Sequence, residues 1–434
     1  MNIALLIFAP ILFFHAGVLS AQSLYFPPVT GSQWDTVAPA SLGWDESAIP
    51  TLREFLQSSN TKAFLVLKDG RIAIEMYFDT FTRDSSWYWA SAGKTMTAAL
   101  VGIAQQEGFL SIDDISSKWM GRGWTSLPAA KEDLITVRHQ LSMTSGLDDA
   151  AGDKDCTLPS CLVYKAEAGT RWAYHNAPYT LLESVLEGAT GQSLNQFYLT
   201  RMRGRIGMNG AYLRSGPYNN VLFTTPRSMA RFGLMILNQG VWDTTPILTD
   251  TAYYRRMISP SQTLNPSYGY LWWLNGQSRH MLPQTQMVFD GPLNPDAPAD
   301  MFAALGKNGQ LLNVVPGMGL VIVRMGNDPD EPSLVPNRLN NDVWKRLNPV
   351  LRRTTGTGSE PGSPDETMTM YPNPASSAIT IGVSTPRRVR IQDVLGREYW
   401  SGALTATTSL PVASWPAGFY LVHSERGAAW FVKR

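Results

Sequence analysis

Two side chains three residues apart, Ser91 and Lys94, can together make a serine nucleophile. A serine hydroxyl attacks a carbonyl readily only when a base stands by to take its proton, and an amine on the same helical face can be that base. Ser91-Ala92-Gly93-Lys94 opens an apolar segment in which Met96, Ala99, Leu100, Ile103 and Ala104 recur at helical spacing, and Gly108 supplies a natural stop. At a helix start Ser91 also has backbone N–H groups without intrahelical acceptors, one of which can stabilise an oxyanion. The tetrad alone is a weak signal. It repeats at Ser59-Asn60-Thr61-Lys62, which leads into a strand-like run and lacks the helical context.

Two further short patterns follow in order, Tyr174-His175-Asn176 and Lys307-Asn308-Gly309. Each has echoes, at Tyr218-Asn219-Asn220, Tyr371-Pro372-Asn373 and Lys68-Asp69-Gly70, so the information lies in the ordered set. Other routes to hydrolysis have less support. No Gly-x-Ser-x-Gly elbow occurs, and the histidines outside the first segment and the tail are His139, His175 and His280, with no local triad signature. His-Glu-x-x-His and paired Cys-x-x-Cys spacings are missing as well, so neither a metal nor any other cofactor is implied. His175 reads as a loop histidine, and His139 as a capping or packing residue near the Thr144-Ser145-Gly146 turn. Trp89, Trp172, Trp272 and Trp273 can wall an acyl pocket or simply fill the core.

Residues so far apart in the chain need a frame that brings them together. Residues 63–67 and 72–78 flank Asp69-Gly70, whose types suit the positive φ of a tight two-residue hairpin. Residues 301–305, 311–315 and 320–324 read as a meander of three more strands, and the sequence between these ends is mainly helical. The fold class predicted is α+β, an α/β sandwich: one antiparallel sheet closed by the N- and C-terminal segments and covered by helices. Residues 354–367, rich in Gly, Ser, Thr and Pro, form a linker between a unit at 22–353 and a tail at 368–434. Short strand-like runs in that tail predict a small β-sandwich.

Bulk composition fits an exported globular protein. The chain has 434 residues, 44% of them apolar and 16% charged, with a net charge of +1 and no basic or acidic run, which argues against nucleic acid as a partner. Residues 1–21 have the apolar body and small-residue end of a signal peptide, and no later stretch is apolar enough to span a bilayer after processing. The two cysteines, Cys156 and Cys161, read in that compartment as a local disulfide.

The ordered set Ser-x-x-Lys, Tyr-x-Asn, Lys-x-Gly resembles the serine β-lactamase and penicillin-binding-protein superfamily, closest to its class C-like and esterase branch. The stretches His139-Gln-Leu-Ser-Met-Thr-Ser-Gly-Leu147, Ala230-Arg-Phe-Gly233 and Tyr268-Gly-Tyr-Leu-Trp-Trp273 are similar to the same family. The resemblance implies that Ser91 is acylated and that Lys94 and Tyr174 move its proton. It also implies that Asn176 and Lys307 position substrate, and that the N–H groups of Ser91 and of Gln310, just past Gly309, form the oxyanion hole. Asn308 stands where relatives usually show Thr, His175 is bulkier than the usual middle residue, and Ser228 stands where Asp is common. Bases near neutrality would need Lys94 and Tyr174 shifted by roughly 3 units, about 4 kcal/mol each. Two ammonium groups sharing one pocket are expected to lower both.

The tail, with Tyr371-Pro-Asn-Pro374, Val394-Leu-Gly-Arg397, Leu410-Pro-Val412 and Pro416-Ala-Gly-Phe-Tyr-Leu421, resembles a type IX secretion C-terminal sorting domain. That implies a Bacteroidetes source, type IX secretion machinery as partner, a secreted or surface location, and removal of the tail. The expected function is therefore hydrolysis of a small ester, amide or peptide substrate through an acyl-enzyme on Ser91. D,D-peptidase or β-lactamase action is the alternative within the same chemistry. A non-catalytic surface binding protein is the alternative outside it.

Overall fold

The hairpin that begins the central sheet follows its turn chemistry. Strands β1 (Thr61–Lys68) and β2 (Arg71–Tyr77) are antiparallel and joined through Asp69 and Gly70, at φ +48° and +84°. In the computed structural model the described residues are 24–328, 335–352, 369–371, 375–383, 386–393, 397–405, 407–424 and 427–433. The expected signal segment 1–21 and linker 354–367 lie outside them, as do parts of the tail motifs at 372–374 and 394–396.

Four more strands complete the sheet: β3 (Trp273–Leu274), β4 (Phe302–Gly306), β5 (Gln310–Val315) and β6 (Leu320–Gly326). Their order is β2-β1-β6-β5-β4-β3, antiparallel throughout, so the first and last parts of the unit pair through β1 and β6. Every residue of β4, β5 and β6 is buried, which requires cover on both faces. Helix α1 (Ile49–Ser58) precedes the sheet, α2 (Lys94–Gln106) and α3 (Pro226–Leu237) come between β2 and β3, and α4 (Asn337–Leu351) follows β6. Leu312 of β5 packs on α3 at Gly233, where a Cβ would come within 2.7 Å of it. The next residue, Asn313, accepts no such contact and instead donates to Asn340 of α4 at 2.7 Å. Successive strand residues point to opposite faces, so α3 and α4 cover the two sides of the sheet.

Arg324 of β6 is a buried hub. It donates to Thr61 Oγ1 at 2.9 Å, the Ser59 carbonyl at 2.5 Å, the Gly309 carbonyl at 2.6 Å and the Asn327 carbonyl at 2.9 Å. These bonds lock the end of α1 and the β4–β5 turn to the same strand. The echo tetrad at Ser59 is thereby structural, since its serine carbonyl feeds this hub and its threonine begins β1.

The chain divides into two compact units, residues 1–354 and 355–434. In the second, a three-stranded sheet (Thr369–Tyr371, Ala378–Gly382, Thr408–Pro411) and a four-stranded one (Arg387–Asp393, Glu398–Leu404, Gly418–Ser424, Gly427–Lys433) share a core that includes Ile379, Ile391, Leu410, Val422 and Phe431. Among the described residues no helix is long and apolar enough to cross a membrane.

Candidate active site

A sharp turn presents Ser91. The Trp89 N–H is held by the Leu222 carbonyl at 2.8 Å, and Ala90 then takes φ +48°, a left-handed value that costs a non-glycine residue energy. A 3₁₀ turn, Ala90–Gly93, runs directly into α2. That helix is buried from Lys94 through Ala104, on all faces. Gly102 makes this possible: a Cβ there would lie 2.3 Å from the ring of Tyr253, whose hydroxyl donates to the Ala98 carbonyl at 2.6 Å.

Lys94 is carried into this interior with only 3% of its surface exposed. Its Nζ donates to Ser91 Oγ at 3.4 Å, at the long end of hydrogen bonding. The ammonium lies 3.8 Å from the ring centre of Tyr179 and 5.3 Å from that of Tyr174. Burial pulls the Lys94 pKa down to about 7, opposed by the negative charge of Asp155. Desolvation, and not a second ammonium, is what brings this amine to neutrality.

Tyr174 shifts the other way from expectation. Burial drives its pKa well above 10, and the neighbouring Ser91 hydroxyl, which favours the phenolate, is too weak an influence to offset this. The cause is a box of aromatic rings: Trp273 stacks on Tyr174 at 5.7 Å, Tyr268 meets it edge-on at 6.2 Å, and Trp172 lies at 6.5 Å. Tyr174 is therefore a neutral phenol that can pass a proton, and the expected phenolate is corrected. Trp89, Trp172, Trp272 and Trp273 are all fully buried, so they build this core and do not line the cleft.

Asn176 begins a short helix, Asn176–Thr180, that also carries Tyr179 to Lys94. Its Nδ2 donates to Asp155 Oδ1 at 2.7 Å, and its Oδ1 is buried without a partner. Cys156 and Cys161 form a disulfide, Cα–Cα 6.0 Å, that closes a short loop starting directly after Asp155. His175 is buried with Nδ1 unpartnered, and desolvation lowers its pKa to about 4, so it is neutral. His139 closes a capping box with Thr136, whose N–H donates to Nδ1 at 3.1 Å. Ser228 is tied to Asn209 through bonds of 2.8 and 2.9 Å at the start of α3.

The Lys307-Asn308-Gly309 segment is the turn between β4 and β5. Asn308 and Gly309 have φ +64° and +76°, so a β-branched Thr would be strained at 308, while Asn tolerates the left-handed region. Asn308 Nδ2 donates to the Tyr88 hydroxyl at 2.6 Å. Gly306 sits so close to the nucleophile turn that a Cβ would come 2.3 Å from the Trp89 carbonyl and 2.9 Å from the Ala92 nitrogen.

An open cleft of about 210 Å³ brings together Ser91, Lys94, Tyr174, Asn176 and Lys307. Gly309 and Gln310 are not among its lining residues. The tight turn reverses the chain, so Gln310 opposes Gly306 in the ladder, fully buried, and its amide bonds both the carbonyl and the N–H of Gly326, at 2.7 and 3.1 Å. Gln310, whose N–H was expected to face the oxyanion, thus stands outside the lining of the cleft. The cleft also holds residues that the motifs do not name: Lys154, Asp155, Tyr179, Asn219 and Asn220. Tyr179 lies one helical turn past Asn176, a spacing that could have flagged it. The echo Tyr218-Asn219-Asn220 turns out to supply cleft wall, with Asn219 accepting from Thr180 at 2.8 Å.

The family model described as Beta-lactamase matches residues 51–342, and that for a secretion system C-terminal sorting domain matches residues 369–434. An uncharacterized protein of Alkalihalophilus pseudofirmus is 23% identical over 317 residues, which cover 64% of this chain and 87% of the relative. A penicillin-binding protein homolog from Caulobacter crescentus superposes with a TM-score of 0.54 at 14% identity, over 73% of this chain and 99% of its own. EstCE1, a hydrolase with promiscuous acyltransferase activity, does so with a TM-score of 0.52 at 13% identity, over 71% and 99%. At such identities the structural likeness is one of fold. The sorting domain indicates engagement of the type IX secretion machinery and delivery to the cell surface or extracellular space. The chain belongs to the Beta-lactamase family, extended at its C-terminal end by a secretion system sorting domain.

Proposed function

We propose that the chain is a serine hydrolase that cleaves an ester or amide through an acyl-enzyme on Ser91. One observation carries this reading: a buried amine poised at about pH 7 lies 3.4 Å from the Ser91 oxygen and 5.3 Å from the ring centre of Tyr174, in one cleft. Ser91 Oγ attacks the carbonyl carbon as its proton passes to Lys94. The Tyr174 hydroxyl, in the same cleft, passes a proton to the departing oxygen or nitrogen and is reprotonated from Lys94, and the C–O or C–N bond breaks. Water then attacks the acyl-enzyme, giving a proton back along the same path and releasing the acid. For the oxyanion, the backbone N–H of Ser91 and that of Lys307 are the proposed donors, since Gly306 packs on the nucleophile turn and Lys307 follows it along the cleft.

Labelling with a fluorophosphonate tests this reading directly. The wild type should be labelled and Ser91→Ala should not. Equal labelling of both would exclude Ser91 as nucleophile, and no labelling of either would favour a non-catalytic binding protein. The ammonium groups of Lys154 and Lys307 along the cleft favour a second reading, turnover of a carboxylate-bearing β-lactam or peptidoglycan-like peptide. Nitrocefin hydrolysis, or fluorescent penicillin labelling blocked by ampicillin, would select it.

A further inference from the structure

We propose that Asp155, held immediately before the disulfide loop Cys156–Cys161, is a positioning residue of this site that fixes the orientation of Asn176 and faces Lys94 with negative charge. This rests on the hydrolase reading above and adds to it a loop that none of the three motifs includes. Asn176 Nδ2 meets Asp155 Oδ1 at 2.7 Å, and only an amide N–H can face a carboxylate, so the bond dictates which way the Asn176 amide is turned. A second tether reinforces the first: the Ala177 N–H donates to the Lys154 carbonyl at 3.2 Å. The loop is braced from its own side as well. The Asp155 N–H donates to Asp153 Oδ1 at 3.0 Å, the Cys156 N–H to the Asp153 carbonyl at 3.0 Å, and the disulfide to Cys161 begins at the very next residue. Asp155 is thus held against a segment 21 positions further along the chain.

Its charge has a setting to act in. Asp155 is the only carboxylate among the described residues that line the cleft, which otherwise carries the amines of Lys94, Lys154 and Lys307. Lys94 is faced by the Ser91 hydroxyl from its own segment, by the rings of Tyr174 and Tyr179, and by Asp155 across the cleft. The carboxylate favours the protonated amine and so opposes burial. A fully deprotonated Lys94 could accept a proton but would have little tendency to be reprotonated and return it; a nearby negative charge keeps both states within reach near neutrality.

Two substitutions separate the two roles. Asp155→Ala removes both acceptor and charge, whereas Asp155→Asn keeps an acceptor for Asn176 and removes the charge alone. With a p-nitrophenyl ester, Asp155→Ala should lower kcat/KM about 10- to 100-fold, through KM as well as kcat, because Asn176 is released. Asp155→Asn should stay within about 3-fold of wild type at its own optimum, and the acid limb of its pH profile should move down by about one unit. The direction follows from charge: without the carboxylate, Lys94 gives up its proton at lower pH. Cys156→Ser/Cys161→Ser should reproduce the Asp155→Ala loss in milder form. Wild-type kcat/KM in Asp155→Ala, or an unmoved acid limb in Asp155→Asn, would overturn the proposal, and the second decides if the alanine variant does not fold. The ¹⁵Nζ shift of Lys94 titrates without any turnover. An unchanged Lys94 titration in Asp155→Asn therefore sinks this inference, while an unlabelled Ser91 in the wild type sinks only the hydrolase reading.

Discussion

Replacing Lys94 with methionine should make the protein more stable while ending its chemistry, and the gain should fade as pH rises. Lys94 is buried and its pKa falls from 10.5 to about 7 on folding. Between those values the unfolded chain binds a proton that the folded chain does not. Wild-type stability therefore climbs with pH through this window, at about 1.4 kcal/mol per unit, and is flat below pH 7 where both states are protonated. Methionine fills a similar volume and carries no charge, so the variant lacks this slope. From pH 7 to pH 9 the variant's advantage should shrink by about 2 kcal/mol, since half of the amines are already neutral at pH 7. Loss of the cation–π contact with Tyr179 subtracts about 1 kcal/mol from the advantage, to first order equally at every pH below 7. Urea unfolding of both proteins at pH 6, 7, 8 and 9, followed by tryptophan fluorescence, reads the difference, and contributions common to both cancel. Parallel stability curves across pH 7–9 would refute the claim that burial holds this amine near neutrality.

Tyr174→Phe keeps the ring in its aromatic box and removes the hydroxyl from the cleft that holds Ser91, so kcat should fall by about 10²- to 10³-fold with KM and melting temperature little changed; steady-state kinetics with a thermal melt checks it. Gly306→Ala places a Cβ 2.3 Å from the Trp89 carbonyl, so it should destabilise by about 2–4 kcal/mol in urea unfolding and displace the nucleophile turn, with fluorophosphonate labelling lost in the fraction that folds. Arg324→Leu leaves the Ser59, Gly309 and Asn327 carbonyls and the Thr61 hydroxyl without their donor, at a cost of about 3–5 kcal/mol measured the same way.

What the sequence reveals of this site follows the range of the interactions involved. Ser91 and Lys94 are legible because their proximity depends on a single helical turn, and Asp69-Gly70 is legible because a two-residue hairpin imposes its own residue types. The meander of β4, β5 and β6 shows in its apolar runs for the same reason. Asp155 is hidden: its partner Asn176 comes 21 residues later, and nothing in the pattern around Cys156 says which segment the disulfide loop will meet. Tyr174 shows the same limit in its electrostatics. The sign of its pKa shift is set by Tyr268 and Trp273, about a hundred residues away, whose rings exclude the water a phenolate would need. For Gln310 the pattern does not show that the Lys307–Gly309 turn sets it opposite Gly306 in the ladder, outside the lining of the cleft.

Where, and at what pH, the protein is acylated decides the role of Ser91 and Lys94 most directly. Incubation with an activated p-nitrophenyl ester, acid quench, intact-mass analysis and peptide mapping would measure both together. The account predicts one acyl group per chain, on Ser91, formed at a rate that rises as pH passes upward through about 7 and Lys94 loses its proton. Acylation at another residue, or a rate on Ser91 that does not change across pH 5–9, would contradict it.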